Sequence, residues 1–227
     1  MEFREWALIA YTVLAQMSVG AFLVLGVVHF AAERKAGMEE ADRLSDRVLV
    51  AIIITLGLGM LASLFHLGSM ANAPRAVTNF VTSWLSREIL SGVVFAVLGI
   101  IFAAMQWFKL GSFALRRVIA WITAVVGVAL VYTMAQIYML PTQPAWNTFA
   151  TPITFFVTTL LLGSLAIGVA LVANYAYVQK NNPDCADVQC ELLRDVTRWI
   201  AVAAVVLVGI EFVVIPVYVA YLVGTGS

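Results

Sequence analysis

Polar residues interrupt this chain only at wide intervals, and between the interruptions the sequence is almost unbroken apolar. Six runs stand out: Ala7 to Ala32, Val48 to Ser69, Glu88 to Phe108, Val118 to Leu140, Thr151 to Gln179 and Trp199 to Val223. Each reaches the roughly 20 residues that a helix needs to cross about 30 Å of hydrocarbon. A membrane barrel would instead show short segments of alternating polarity. The pattern predicts an all-α integral membrane protein, a single bundle of about six transmembrane helices over residues 1–227. Glu2, Arg4 and Glu5 precede the first run, which lacks the basic leader of a signal peptide and is too long for its apolar core. It is expected to remain as a helix.

Composition agrees with lipid as the solvent. Hydrophobic residues make up 63% of the chain and charged ones 11%, against about 25% charged in a soluble domain. Too few polar residues remain to cover such a core in water. A net charge of zero with 13 basic residues gives no footprint for nucleic acid. Their distribution does carry information. Ten of the 13 Lys and Arg fall in the links Glu33 to Arg47, Lys109 to Arg117 and Lys180 to Arg198. Basic residues favour the cytoplasmic side, so these links are expected inside and both termini outside. Cys185 and Cys190 share one of these links, where thiols normally stay reduced. Their C-x4-C spacing, with no second pair, matches no common zinc or iron–sulfur pattern. They read as ordinary loop cysteines.

Hydrogen-bonding side chains inside spans call for a reason. Gln16, Gln106, Gln136 and Asn174 read as interhelical hydrogen bonds, each contributing about 0.6–2 kcal/mol. Glu211 sits near the middle of the last span, where a charge costs at least about 2.5 kcal/mol, so it is neutral, paired or beside water. His29 and His66 lie near opposite ends of their spans, about 25 Å apart in depth at ~1.5 Å per residue. They cannot ligate one haem from its two sides.

His66 has the more suggestive surroundings. His66-Leu67-Gly68-Ser69, then Arg75, then Ser83-Trp84-Leu85-Ser86-Arg87-Glu88 bring an imidazole, two guanidiniums and a carboxylate to one outer interface. One reading is an interfacial anchor, with Trp84 and the arginines at headgroup level. The other is a quinol site. Oxidising a hydroquinone releases two protons, and a histidine of ordinary pKa about 6.5 is suited to take one. Glu88 would take the other or pass the first onward.

The sequence resembles the membrane-anchor subunit of the anaerobic dimethyl sulfoxide reductase family. The resemblance rests on Glu5-Trp6, Thr12, Gln16, Gly20 and Phe22, then His66-Leu67-Gly68-Ser69, Ala76 and Ser86-Arg87-Glu88-Ile89. It continues through Tyr138, Pro144, Trp146, Thr151-Pro152 and Phe155-Phe156, in the family's order over about 160 residues. It implies an anchor that oxidises menaquinol, carries no haem, and passes electrons to an iron–sulfur subunit and on to a molybdopterin subunit reducing S- or N-oxides. In that family the matching His66 is associated with quinol binding, and Glu88 matches a carboxylate in the same region. Together with the residues of the outer interface this gives His66 and Glu88 as the expected catalytic pair, and Gln16, His66, Arg75, Arg87 and Glu88 as the expected quinol-binding set. The expected place is the inner (cytoplasmic) membrane of a bacterium or archaeon, with the iron–sulfur partner docked over Met70 to Glu88. Family members have eight spans where six are read here, and the resemblance covers the first five. Two other classes compete: a transporter using Glu211 and the amides, although no inverted repeat is visible, and a structural anchor without quinone chemistry.

Overall fold

The computed structural model describes residues 3–66, 78–181 and 188–225. Among them run six helices: α1 (Phe3–Ala36), α2 (Met38–His66), α3 (Trp84–Trp107), α4 (Phe113–Tyr138), α5 (Ala150–Asn181) and α6 (Val188–Thr225). All six are long and apolar enough to cross a membrane. The molecule is a multi-pass helical membrane protein.

Helix ends depart from the expected span ends because a span read from hydropathy stops at the first charges, whereas the backbone keeps its hydrogen bonds beyond them. The charged link Glu33 to Arg47 is helical almost throughout. Gly37 alone breaks it, at φ +85°, a conformation open to glycine at little cost. Its N–H still donates to Glu33 O at 3.0 Å. Ala32, Ala41 and Leu44 are fully buried beside this tight turn, and two of the three are alanines, which let the backbones close. In the same way α6 begins at Val188, well before Trp199. Ser83 and Ser112 cap α3 and α4, accepting from Ser86 N and Leu115 N at 3.3 Å.

The cysteine expectation is corrected. Cys190, buried at the start of α6, is disulfide-bonded, and the only other cysteine is Cys185, outside the described residues. Compartment sets only an expectation for a thiol and does not register a bond that the fold itself forms.

Helix α1 is the centre of the bundle, packed against α2 and α5. Its crossing with α5 is made by two glycines. A Cβ added at Gly20 would lie 1.8 Å from Thr159 O, and one at Gly163 would lie 2.1 Å from Gly20 C. With little hydrophobic force between helices in lipid, such small-residue contacts let backbones touch and gain dispersion energy. Phe22 extends the core on another face of α1, its ring edge-on to Phe95 at 6.1 Å and Phe102 at 5.4 Å. By contrast α6 lies at the margin, with Trp199, Val205, Phe212, Val213 and Val223 exposed.

One end of the bundle is held by polar links. Gln106 Nε2 donates to Asp42 Oδ1 and Asp46 Oδ1, both at 2.9 Å, and its Oε1 accepts from Arg116 at 2.9 Å. Lys109 reaches Asp46 at 2.8 Å, and Arg117 grips both oxygens of Glu33 at 2.9 and 3.0 Å. Arg47 donates to Asn174 Oδ1 at 2.7 Å. Lys35 pairs with Asp195 and Glu191. The exposed pairs among them, Lys35 with Asp195 and Glu191 above all, are screened by solvent and add little to stability. Their value here is in fixing which helices are neighbours.

Candidate functional site

The opposite end gathers the candidate chemistry. After the Ser83 cap, α3 presents Trp84, Glu88, Gly92 and Phe95 at steps of four, four and three, which is one helical face. That face looks into the bundle. The Trp84 ring meets Tyr132 of α4 edge-on at 5.9 Å, and Phe95 meets Phe22 as above. Glu88 is therefore directed inward and is 7% exposed. The Tyr11 hydroxyl of α1 stands within hydrogen-bonding reach of its carboxylate. A Cβ at Gly92 would stand 3.4 Å from that same hydroxyl, so Tyr11 lies against the Glu88–Gly92 face.

Two further polar contacts continue along α1. Thr12, whose hydroxyl donates to Leu8 O at 3.0 Å, stands beside Tyr138, the last residue of α4. One turn on, buried Gln16 accepts from Thr158 Oγ1 of α5 at 2.8 Å. Each contact joins α1 to a different helix. An aromatic wall stands beside them: Tyr138 meets Trp146 at 5.8 Å and Phe155 at 5.4 Å, while Thr151 Oγ1 fixes the loop by donating to Trp146 O at 2.6 Å.

The residues singled out from sequence are distributed as follows. Glu88 and Gln16 are both buried in the same end of the bundle, on faces held by α1. Arg87 does not join them. Neighbouring positions on a helix point about 100° apart, and Arg87 turns outward, donating to Phe80 O at 3.0 Å and Val81 O at 2.5 Å with its guanidinium 4.2 Å over Trp84. It braces the segment entering α3. His66 is the last residue of α2; its side chain and the whole of Arg75 lie outside the described residues. Sequence reading missed Tyr11 and Thr158. A buried carboxylate needs a donor at its own depth on a neighbouring helix, and Tyr11, a few residues into α1, meets that requirement.

Other candidates sit elsewhere. His29 Nδ1 is 2.8 Å from Ser45 Oγ, and its ring stacks on Phe113 at 6.4 Å, at the charged end. Of the four amides, Gln16, Gln106 and Asn174 make interhelical bonds, but the bond of Gln136 runs to the nearby Met139 Sδ at 3.7 Å, just past the end of its own helix. Glu211 is 9% exposed, and neither carboxylate oxygen has a hydrogen-bond partner among the described residues. Two shallow hollows of about 200 and 240 Å³ are lined by Arg194 and its neighbours and by Lys35 and its neighbours; neither borders Glu88.

A family model for the dimethyl sulfoxide reductase anchor subunit matches residues 1–217. The protein belongs to the dimethyl sulfoxide reductase anchor-subunit family. The match runs past the fifth helix into α6, further than the first five spans on which the resemblance was read. The C subunit of the anaerobic dimethyl sulfoxide reductase of Escherichia coli (strain K12) is 33% identical over 178 residues, covering 76% of this sequence and 61% of that relative. The YnfH subunit of the same organism's anaerobic dimethyl sulfoxide reductase is 31% identical over 170 residues, covering 75% and 58%. The C subunit from Haemophilus influenzae (strain ATCC 51907 / DSM 11121 / KW20 / Rd) is 31% identical over 172 residues, covering 74% and 58%. This anchor-family protein thus spans about 60% of the length of the curated relatives it matches. No solved structure matches it.

Proposed function

We propose that this protein is the quinol-oxidising membrane anchor of a molybdenum oxidoreductase complex. In a member of the anchor family, the observation that carries the reading is Glu88: a buried carboxylate, held by Tyr11 and bordered by aromatic rings, at the bundle end where α2 finishes in His66. A hydroquinone that becomes a quinone gives up two electrons and two protons. The His66 imidazole and the Glu88 carboxylate are the two bases, and the electrons pass to an iron–sulfur cluster of a partner subunit and then to a molybdopterin subunit that reduces an S- or N-oxide. Buried Gln16, the only other member of the expected set with a described inward position, lines the approach on the α5 side. Arg87 shapes the rim by fixing the Phe80–Val81 backbone rather than by meeting the quinol. The quinol is menaquinol, and the anchor itself carries no haem. The partner docks over residues 70–88, close enough to the quinol for electron transfer.

A tag on the anchor is the test of that reading. Purification in mild detergent should bring down an iron–sulfur subunit, a molybdopterin subunit and bound menaquinone, with no haem band attributable to the tagged protein. Recovery without those subunits would favour a transporter, and recovery with them but without quinone would favour a structural anchor.

Orientation follows from the basic links, which places the quinol end and both termini outside an inner membrane of a bacterium or archaeon. The Cys190 disulfide pulls the other way, since persistent disulfides belong to oxidising compartments. Charge is the stronger guide, because ten basic residues act on insertion whereas one disulfide forms afterwards. In a variant with Cys185 and Cys190 changed to Ser, Thr142→Cys is expected to react with an impermeant thiol reagent added outside intact cells. Leu110→Cys, at a position that is 52% exposed, should react only after the membrane is opened. The reverse pattern would overturn the orientation.

A further inference from the structure

We infer that Tyr11 is a positioning residue for the quinol step, its hydroxyl holding Glu88 in the one orientation that leaves a carboxylate oxygen for the substrate. The inference rests on the quinol reading above. Glu88 has three rotatable side-chain bonds, and at 7% exposure water does little to fix them. A carboxylate has two oxygens and about four acceptor sites. A single donor placed on one oxygen therefore restricts the group while leaving the second oxygen unoccupied by that contact.

Among the described residues, the neighbouring donors are engaged elsewhere. Arg87, next in sequence, donates to Phe80 O and Val81 O. The hydroxyl of Thr12, next to Tyr11 on α1, donates to Leu8 O at 3.0 Å. The Tyr11 hydroxyl stands beside Gly92, one turn further along the same face of α3, and within hydrogen-bonding reach of Glu88. It comes from α1, the central helix, packed closely against α5 at the Gly20–Gly163 crossing. A base held within a few tenths of an ångström is what a proton transfer requires, and a misplacement of about 1 Å can cost about 100-fold.

Tyr11→Phe removes only the hydroxyl and keeps the ring. In membranes containing the whole complex, the kcat for quinol oxidation should fall about 10–100-fold. The quinol KM should change by less than about threefold, because Tyr11 acts through Glu88 rather than on the quinol. Turnover driven by an artificial dye that reduces the partner subunits directly should be unchanged. Tyr11→Phe added to Glu88→Gln should cost no more than about twofold beyond Glu88→Gln alone, since residues acting in one interaction are not additive. Full activity in Tyr11→Phe, with Glu88→Gln impaired, would overturn the role of Tyr11 and leave the quinol site standing. Independent, multiplying losses, or loss of dye-driven turnover as well, would also overturn it by showing that Tyr11 acts on something other than Glu88. Full activity in Glu88→Gln would remove the site itself and Tyr11 with it.

Discussion

His66→Ala is expected to lower quinol-dependent turnover about 10²–10⁴-fold, the usual contribution of one positioned acid–base group. Dye-dependent turnover through the partner subunits should persist. The expectation comes from depth. His66 closes α2, at the end of the bundle where Glu88 is buried, and histidine can gain and lose a proton near neutral pH without help from its surroundings. Alanine is the best helix former, so α2 should persist and the complex should assemble. Glu88→Gln should be the milder variant, because a carboxamide still hydrogen-bonds a hydroxyl but cannot carry its proton. The two activities would be measured side by side in the same membranes. Normal quinol turnover in His66→Ala would leave the interfacial-anchor reading as the better one. Loss of both activities would mean that His66 holds the assembly together.

The largest structural effect is expected at the α1–α5 crossing. In Gly20→Leu the Cβ alone would lie 1.8 Å from Thr159 O, and a backbone carbonyl in a helix is unable to turn aside as the tip of a flexible side chain does. The helices must part, and the Gln16–Thr158 bond beside the crossing would be lost with the packing. Such overpacking against backbone belongs with the mutations that cost more than about 4 kcal/mol. The anchor should fail to accumulate, and the partner subunits should appear in the soluble fraction. Gly57→Ala is the control, because nothing lies within 4 Å of a Cβ built there. Membrane fractions probed for each subunit would show whether Gly20→Leu and Gly57→Ala differ. Equal accumulation would show that the crossing is not where the bundle is held.

The six helices were legible in sequence because lipid offers the backbone no hydrogen bonds, so each crossing must be one unbroken apolar helix. Their ends were not, because Glu33 to Arg47 remains helical through a stretch that hydropathy reads as a link. Only Gly37 marks the turn. Glu88 stood out as a carboxylate beside an apolar run, and its inward direction follows from the face it shares with Trp84, Gly92 and Phe95. Arg87 was misplaced by adjacency, since two neighbours on a helix cannot share a face. Tyr11 passed unnoticed because a tyrosine near a helix end is common at membrane interfaces, and tertiary structure is what brings its hydroxyl beside Glu88 and Gly92. The network of Asp42, Asp46, Gln106 and Lys109 is likewise invisible from spacing, as its members come together through tertiary structure alone.

Reduction of the partner's iron–sulfur clusters by quinol tests the central claim most directly. Membranes holding the complete complex, and the partner subunits prepared without the anchor, would each be mixed anaerobically with a soluble menaquinol analogue and followed by electron paramagnetic resonance. Dithionite would mark full reduction in both. The expected result is rapid cluster reduction by quinol in the complete complex and none in the partners alone. Equal reduction without the anchor, or no reduction with it, would contradict a quinol-oxidising role.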